Sequence, residues 1–546
     1  MDMNNKEISS IVGLYGKLAE LHGENSFKVK SYNAAAFNIK KIPDSLSEMS
    51  ESELFQVQGL GKGLVPKIFS LTQTGSFPQL DRYLEITPKG VLAMLKIKGI
   101  GAKKIAVIWR EMGIDNIGEL LYACKENRLK DVKGFGLKTQ ASVIQQIEFL
   151  FANENKFHYA TVIAHAHNFL EFLRKLPGSE RVEYTGELRR ESEILESLDY
   201  IYNGTFPFLE LDLEENISEL EVSEIEIKAM LNSKYPIRIV LSNESSFISD
   251  WMRETGNEEH LSMIGFQEGT YDTEEEAYEK FNSPFIIPEI REGREIEKTV
   301  DQESLIQYTD LKGVIHNHST YSDGLHSLKE MAEYARELGF EYLGISDHSK
   351  SAFYANGLNE QRILQQHEEI DKLNDSMGPF KIFKSIESDI LNTGELDYSN
   401  EVLSSFDFVI ASVHSNLKMT EEKAHNRLIK AIENPHTDIL GHMTGRLLLM
   451  REGYPVNHKY IIDACAENGV CIEINANPYR LDIDWRWLEY CMEKGVVISI
   501  NPDAHNKEGY LDMVFGVNVA RKGLLTKEMT LNAKSLSEFE QYFKNK

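Results

Sequence analysis

The chain has 546 residues, 27% of them charged, and a net charge of −27. That length exceeds what one hydrophobic core supports, so three or four domains are expected, and no stretch has the uninterrupted apolar length of a membrane span. The opening MDMNNKEISS lacks a signal peptide's apolar region, and four cysteines without a CxxC pair fit a reducing cytoplasm and argue against a cysteine-based zinc site.

Charge is unevenly spread along the chain. Residues 1–150 carry +4, residues 151–310 carry −21 and residues 311–546 carry −10. A phosphate backbone is therefore expected to be gripped by the first segment. That segment reads as helical and repeats one pattern three times: VQGLGKGLVPKI (57–68), IKGIGAKKIAVI (97–108) and VKGFGLKTQASVI (132–144). The glycine pairs Gly59/Gly61, Gly99/Gly101 and Gly134/Gly136 permit tight turns and bare backbone N–H groups at the next helix start, where a phosphate can sit. Lys62, Lys67, Lys103, Lys104, Lys133 and Lys138 add positive charge nearby. One such turn is commonplace. Three with the same flanks are helix-hairpin-helix grammar, which binds DNA by its backbone and not by sequence.

Residues 151–300 mix strands and helices. The acidic run LELDLEENISELEVSEIEIKAM (209–230) reads as a solvated helical face. PFIIPEIREGREIE (284–297) reads as a Pro-punctuated linker. From residue 305 onward, short β-branched runs alternate with amphipathic helices, which is the grammar of a parallel sheet or barrel. Polar residues gather after these strands, where barrel enzymes hold their sites. They are His316, His318, Asp323, His348, Glu387, His414, His442, Asp503 and His505. Residues i and i+2 of a strand share a face, so HxH and DxH can each clamp one ion. Imidazole with carboxylate suits Mn, Zn or Fe. Nine ligands exceed the needs of one ion, so two or three metals are expected, with Glu387 bridging. Such ions lower the pKa of water to about 7, and the hydroxide so formed would be held by Glu387, His316, His318 and Asp503. Arg446 and Arg480, near the ligand turns, are candidates to clamp a phosphate, an ordinary salt bridge being the equal alternative.

With these motifs the chain resembles bacterial family X DNA polymerases that carry a C-terminal polymerase-and-histidinol-phosphatase (PHP) domain. The likeness runs through FKVKSYNAAAF (27–37), the hairpin repeats, GELRRESEILESLDYI (186–201), TGNEEH, PFIIPEIREGR, HNHSTYSDG, SDHSKS, ILGHMTGRLL, EINANPYRLD and PDAHN. It implies a helical hairpin domain (1–80), a fingers-like helical region (81–150), a polymerase-β-like nucleotidyltransferase palm and thumb (151–300), and a distorted seven-stranded β/α barrel (305–546). The nine positions above fill the family's metal sites, which implies 3′–5′ exonuclease or related 3′-end phosphoesterase activity.

The palm departs from the family pattern. The family's Gly-Ser-x-Arg-Arg-Gly turn reads Gly186-Glu187-Leu188-Arg189-Arg190-Glu191 here. An anion, Glu187, stands where a serine would meet a triphosphate. The paired carboxylates are Ser197 and Asp199, and Pro236 aligns with the third. One carboxylate of three cannot hold two magnesium ions against water. Lys67 falls where relatives with 5′-deoxyribose-phosphate lyase activity carry a Schiff-base lysine; a phosphate contact is the plainer reading. The sequence therefore reads as a cytoplasmic, DNA-binding, metal-dependent phosphoesterase of DNA repair acting on gapped or 3′-end substrates. Exonuclease, abasic-site and 3′-phosphatase work stay open. The alternatives are an active gap-filling polymerase with PHP proofreading, a histidinol-phosphatase-like enzyme and a non-catalytic DNA-binding scaffold.

Overall fold

The structure of the protein, a computed structural model, describes residues 3–544 apart from 126, 127, 130, 131, 133 and 207–215. Lys133 of the third hairpin and the first part of the acidic run lie outside the described residues. The chain forms two compact units, 1–154 and 155–546.

In the first unit every regular element among the described residues is helical. The helix Asn5–Leu21 starts at a reciprocal capping box between Asn4 and Glu7. It buries Ile8, Val12, Tyr15 and Ala19, which share one face at helical spacing. The same core takes Ile68 and Leu71 from the helix Val65–Thr74, and Ile105 and Ile108 from Ala102–Met112.

The second unit holds two larger sheets and one short pair. The strand β1 (Phe157–His158) pairs with β3 (Ile194–Leu195). A five-stranded sheet runs in the order β2 (Ser179–Tyr184), β4 (Leu198–Gly204), β7 (Tyr235–Ser242), β6 (Glu226–Leu231), β5 (Ile217–Val222). Where it is described, the acidic run is thus two strands joined by a turn at 223–225, and not helix. The reason lies in its period: Ile227, Ala229 and Leu231 are buried at every second position, so one face of β6 packs and the other carries the charge.

Seven further strands lie in chain order and all parallel: β8 (Gly313–Val314), β9 (Tyr342–Ile345), β10 (Lys381–Asp389), β11 (Phe408–Ser412), β12 (Ile439–Leu440), β13 (Cys471–Asn475) and β14 (Ile498–Asn501). Beyond their C-terminal ends, Asn317 bridges Ala504 in parallel, and the sheet becomes a nearly closed barrel. One part of the interior is filled by apolar side chains. Phe539, from the helix Leu536–Lys544, packs its ring 4.4 Å from Tyr342 and 5.0 Å from Phe383. The polar residues lie past the opposite, C-terminal ends of the strands.

Palm and barrel share a core. Ile201, Val240 and Phe247 pack with Leu305 and Leu524. The stretch 284–297 is no linker: Ile286, Ile290, Arg291 and Glu297 are fully buried or nearly so. Glu289 accepts from the Arg521 guanidinium at 2.6 Å, and Arg294 donates to the Lys522 carbonyl at 2.6 Å. Prolines there set the chain's path along a packed surface. No helix among the described residues is long and apolar enough to cross a membrane.

Candidate metal centre

The loops after the barrel strands bring all nine candidate ligands to one place. Glu387, near the end of the long strand β10, is their hub and is fully buried. Its Oε1 lies 3.0 Å from His414 Nε2, 3.1 Å from His442 Nε2 and 3.3 Å from His316 Nε2. Its Oε2 lies 2.9 Å from His348 Nδ1 and 3.6 Å from His318 Nε2. His318 Nε2 is also 3.1 Å from Asp503 Oδ1. Asp323 Oδ1 is 3.4 Å from His505 Nε2 and 3.6 Å from His348 Nε2.

Three overlapping groups have donor atoms within 4.8 Å of one another: His318/Asp323/His348/His505, His316/His318/Asp503, and His348/Glu387/His414. His318 and His348 each belong to two. The donor set fits divalent ions on a separate ground as well. His316 Nε2 and Glu387 Oε2 are buried without a hydrogen-bond partner in the protein, a costly arrangement that a cation would relieve. Burial opposes charge on Glu387, yet His414, His316 and His348 outweigh it and hold the carboxyl well below its ordinary range. Asp503 sits in the left-handed region at φ 52°, a conformation that non-glycine residues rarely adopt outside constrained sites.

Two carboxylates that the sequence reading passed over orient these imidazoles. Glu473 on β13 accepts from His316 Nδ1 at 2.6 Å, and Asp389 on β10 pairs with His414 Nδ1. Each contact fixes the ring so that Nε2 faces Glu387, the carboxylate–histidine–metal arrangement. Asn475 donates to both Glu473 and Asp503 at 3.0 Å, and Asn501 donates to Glu473 at 3.0 Å. The signal was present in the sequence. Glu387 and Asp389, like Glu473 and Asn475, are polar pairs at i and i+2 inside apolar strands, so each pair shares one face. Glu473→Gln and Asp389→Asn are expected to lower metal affinity or hydrolysis by about 10- to 100-fold. Metal titration by calorimetry on each variant checks this; unchanged binding and rate would show that the rings need no such support.

The two arginines part company. Arg480 Nε lies 3.7 Å from Asp503 Oδ2, at the rim of the cluster. Arg446 instead turns back onto the loop 480–484. It donates to the Arg480 carbonyl at 3.0 Å, to Asp484 at 2.5 Å and to the Leu481 carbonyl. With its three guanidinium nitrogens so engaged, it ties two loops together, which is the salt-bridge alternative.

The turn 186–191 is braced by ion pairs. Arg189 donates to both oxygens of Glu274, at 3.0 and 2.6 Å, and its guanidinium lies 3.5 Å from the Trp251 ring. Arg291 grips the same carboxylate from within the core. Ser197 Oγ donates to Asp199 at 2.6 Å. The strand register places two residues of β7 near this turn. On β7 it is Arg238 that pairs with Asp199, while Pro236 lies two residues earlier, opposite Met230 of β6. A cation, itself held by Glu226 and Glu254, therefore stands beside the remaining carboxylate. Burial raises the pKa of Asp199, Glu187 and Glu191. Glu191 keeps a φ of 53°, at the position where the family pattern has glycine.

In the first unit, Gly59, Gly99 and Gly134 adopt φ of 91°, 92° and 89°, a conformation glycine supplies at little strain. Gly101 and Gly136 begin the helices Ala102–Met112 and Leu137–Ala152 directly, whereas Gly61 is followed by a further turn before Val65. A Cβ on Gly101, Gly134 or Gly136 would meet nothing within 4 Å, so the backbone there is open to an approaching phosphate. Lys103 is exposed, 3.8 Å from Glu20. Lys67 donates to the Gly63 carbonyl at 2.9 Å, and burial together with Lys28 lowers its pKa.

Comparison with known proteins agrees with this anatomy. Residues 3–77 match a helix-hairpin-helix domain, residues 91–148 a SAM-like helix-hairpin-helix tandem, and residues 315–477 a PHP domain. Probable phosphatases of Acetivibrio thermocellus and Clostridium acetobutylicum are 26% and 27% identical over 42% and 35% of this chain, covering 94% and 78% of their own lengths. The DNA polymerase/3′-5′ exonuclease PolX of Bacillus subtilis (strain 168) is 34% identical over 99% of this chain and its own full length. The chain is an enzyme of metal-dependent hydrolytic type. A full-length likeness of that degree, with hairpin helices at the front and a PHP barrel at the back, places the chain in the family of PolX DNA polymerase/3′-5′ exonucleases.

Proposed function

We propose that this protein hydrolyses DNA 3′ ends in repair, in the cytoplasm, and that its polymerase palm is catalytically silent. One contrast supports the reading. Eight donor groups gather with Glu387, while in the palm Asp199 has Ser197 two residues before it and Arg238 beside it. Two or three divalent ions (Mn, Zn or Fe) would be held by His316, His318, Asp323, His348, Glu387, His414, His442, Asp503 and His505. Bound there, they supply Lewis acidity and an acidified water. The chain's own groups do the rest. Glu473 and Asp389 keep the imidazoles aimed. Arg480, beside Asp503, is placed to meet a phosphoryl oxygen. The hairpin glycines of residues 1–150 take the duplex backbone through N–H groups. Residues 151–300 act as a palm-derived scaffold for the barrel of residues 305–546.

Incubation with Mn²⁺ and a 5′-labelled primer on a gapped template, with and without dNTPs, tests both halves. Shortening that vanishes in His316→Ala is the expected result. Template-directed lengthening would overturn the silent palm. Cleavage of histidinol phosphate with DNA untouched would favour a small-molecule phosphatase, as the likeness of the barrel to probable phosphatases allows.

A further inference from the structure

Phe353 is the most exposed large apolar side chain among the described residues, at 89%. Yet the loop beneath it is firmly anchored. Its neighbours Ala352, Ala355 and Leu358 are completely buried. Ser351 donates through its backbone to Asp397 and through its hydroxyl to Asp389, each at 2.6 Å. The Leu358 N–H donates to the carbonyl of His348 at 2.8 Å. At the far side Asn356 donates to the Tyr321 and Ser322 carbonyls at 3.4 Å, and Arg362 donates to the Asn356 carbonyl at 2.8 Å. A Cβ on Gly357 would sit 1.8 Å from the Ser349 carbonyl, so the loop has no slack there. Three of these tethers lead to a candidate metal ligand or its support: His348, Asp389 behind His414, and the turn that carries Asp323.

Burying a phenylalanine is favourable, and this loop forgoes that while holding its backbone fixed. A lone ring is far smaller than a protein interface. It has the size and the flat apolar face of a stacking platform for one base. From this placement we infer that Phe353 stacks on a nucleobase at the 3′ end of the DNA strand and so selects polynucleotide ends over small phosphate esters. The inference rests on the cluster being a DNA 3′-end phosphoesterase. Stacking needs no base-edge hydrogen bonds, so the selection is for a base and not for a sequence.

The full-length protein is assayed on two oligonucleotides that differ only at the 3′ residue, one bearing a base and one a tetrahydrofuran abasic residue. The native enzyme is expected to prefer the base-bearing end by about tenfold, the scale of one stacked base. Phe353→Ala should abolish that preference and Phe353→Trp should keep it. A preference unchanged in Phe353→Ala overturns the inference. A second readout needs no turnover: 2-aminopurine at the 3′ end, bound in the presence of chelator, is expected to be quenched by the native protein and less so by Phe353→Ala. Equal quenching also overturns it. Should the native enzyme cleave neither oligonucleotide, the phosphoesterase reading fails, and the quenching comparison still decides whether Phe353 stacks.

Discussion

Glu387→Ala is expected to reduce hydrolysis of a DNA 3′ end by about 10³-fold, equivalent to roughly 4 kcal/mol of lost charge stabilisation. Five imidazoles approach its two oxygens within 3.6 Å, so no other side chain touches as much of the cluster. Removing it deprives neighbouring ion positions of their shared negative charge at once. Single losses such as Asp323, on the rim, should be milder. Glu387→Gln guards against misfolding, because it keeps the shape and removes the charge. Metal content by mass spectrometry and kcat/KM with Mn²⁺ are measured together. A variant that keeps both its ions and its rate would show that Glu387 does not bridge.

The second large effect is on stability and lies in the palm. Glu274 is held between Arg189 and Arg291, the latter only 1% exposed. Glu274→Ala strands two buried guanidinium groups without their counter-ion and is expected to destabilise the fold by about 3–5 kcal/mol. For a unit of this size, a fall of about 5 °C in the midpoint of thermal unfolding follows. The effect carries a pH signature. Burial alone would raise the Glu274 pKa, but Arg291 and Arg189 hold it at about 2, against an ordinary 4.5. A depressed carboxylate stabilises fully above its unfolded pKa and loses that contribution as pH falls through the folded one. The gap between native and variant midpoints should therefore be widest near neutrality and narrow as pH falls from about 5 toward 2. A gap independent of pH would mean that packing, and not charge, sets the loss.

What the sequence made legible followed from period and position. The barrel strands were readable because short β-branched runs ended in histidine and carboxylate at regular intervals. The nine residues announced themselves by chemistry that an apolar strand end seldom carries. Glu473 and Asp389 carry the i, i+2 mark of their strands, but which imidazole each one orients is a contact distant in sequence that no local pattern gives. The acidic run misled because its charges were weighed before its period of two. Arg446 and the Pro-rich stretch show the same limit: an arginine near a ligand turn and a proline between domains look alike in sequence whether they face solvent or core.

The seam between palm and barrel has a consequence for inheritance. Ile201, Val240 and Phe247 lie before the barrel, and Leu305 and Leu524 within residues 305–546, yet none is solvated. A gene trimmed to begin at residue 305 would encode a barrel with raw apolar cladding and a broken Glu292–Lys522 pair. With the palm silent as proposed, selection relaxes on Asp199 while still guarding Phe247, so the fold outlasts the chemistry it once housed.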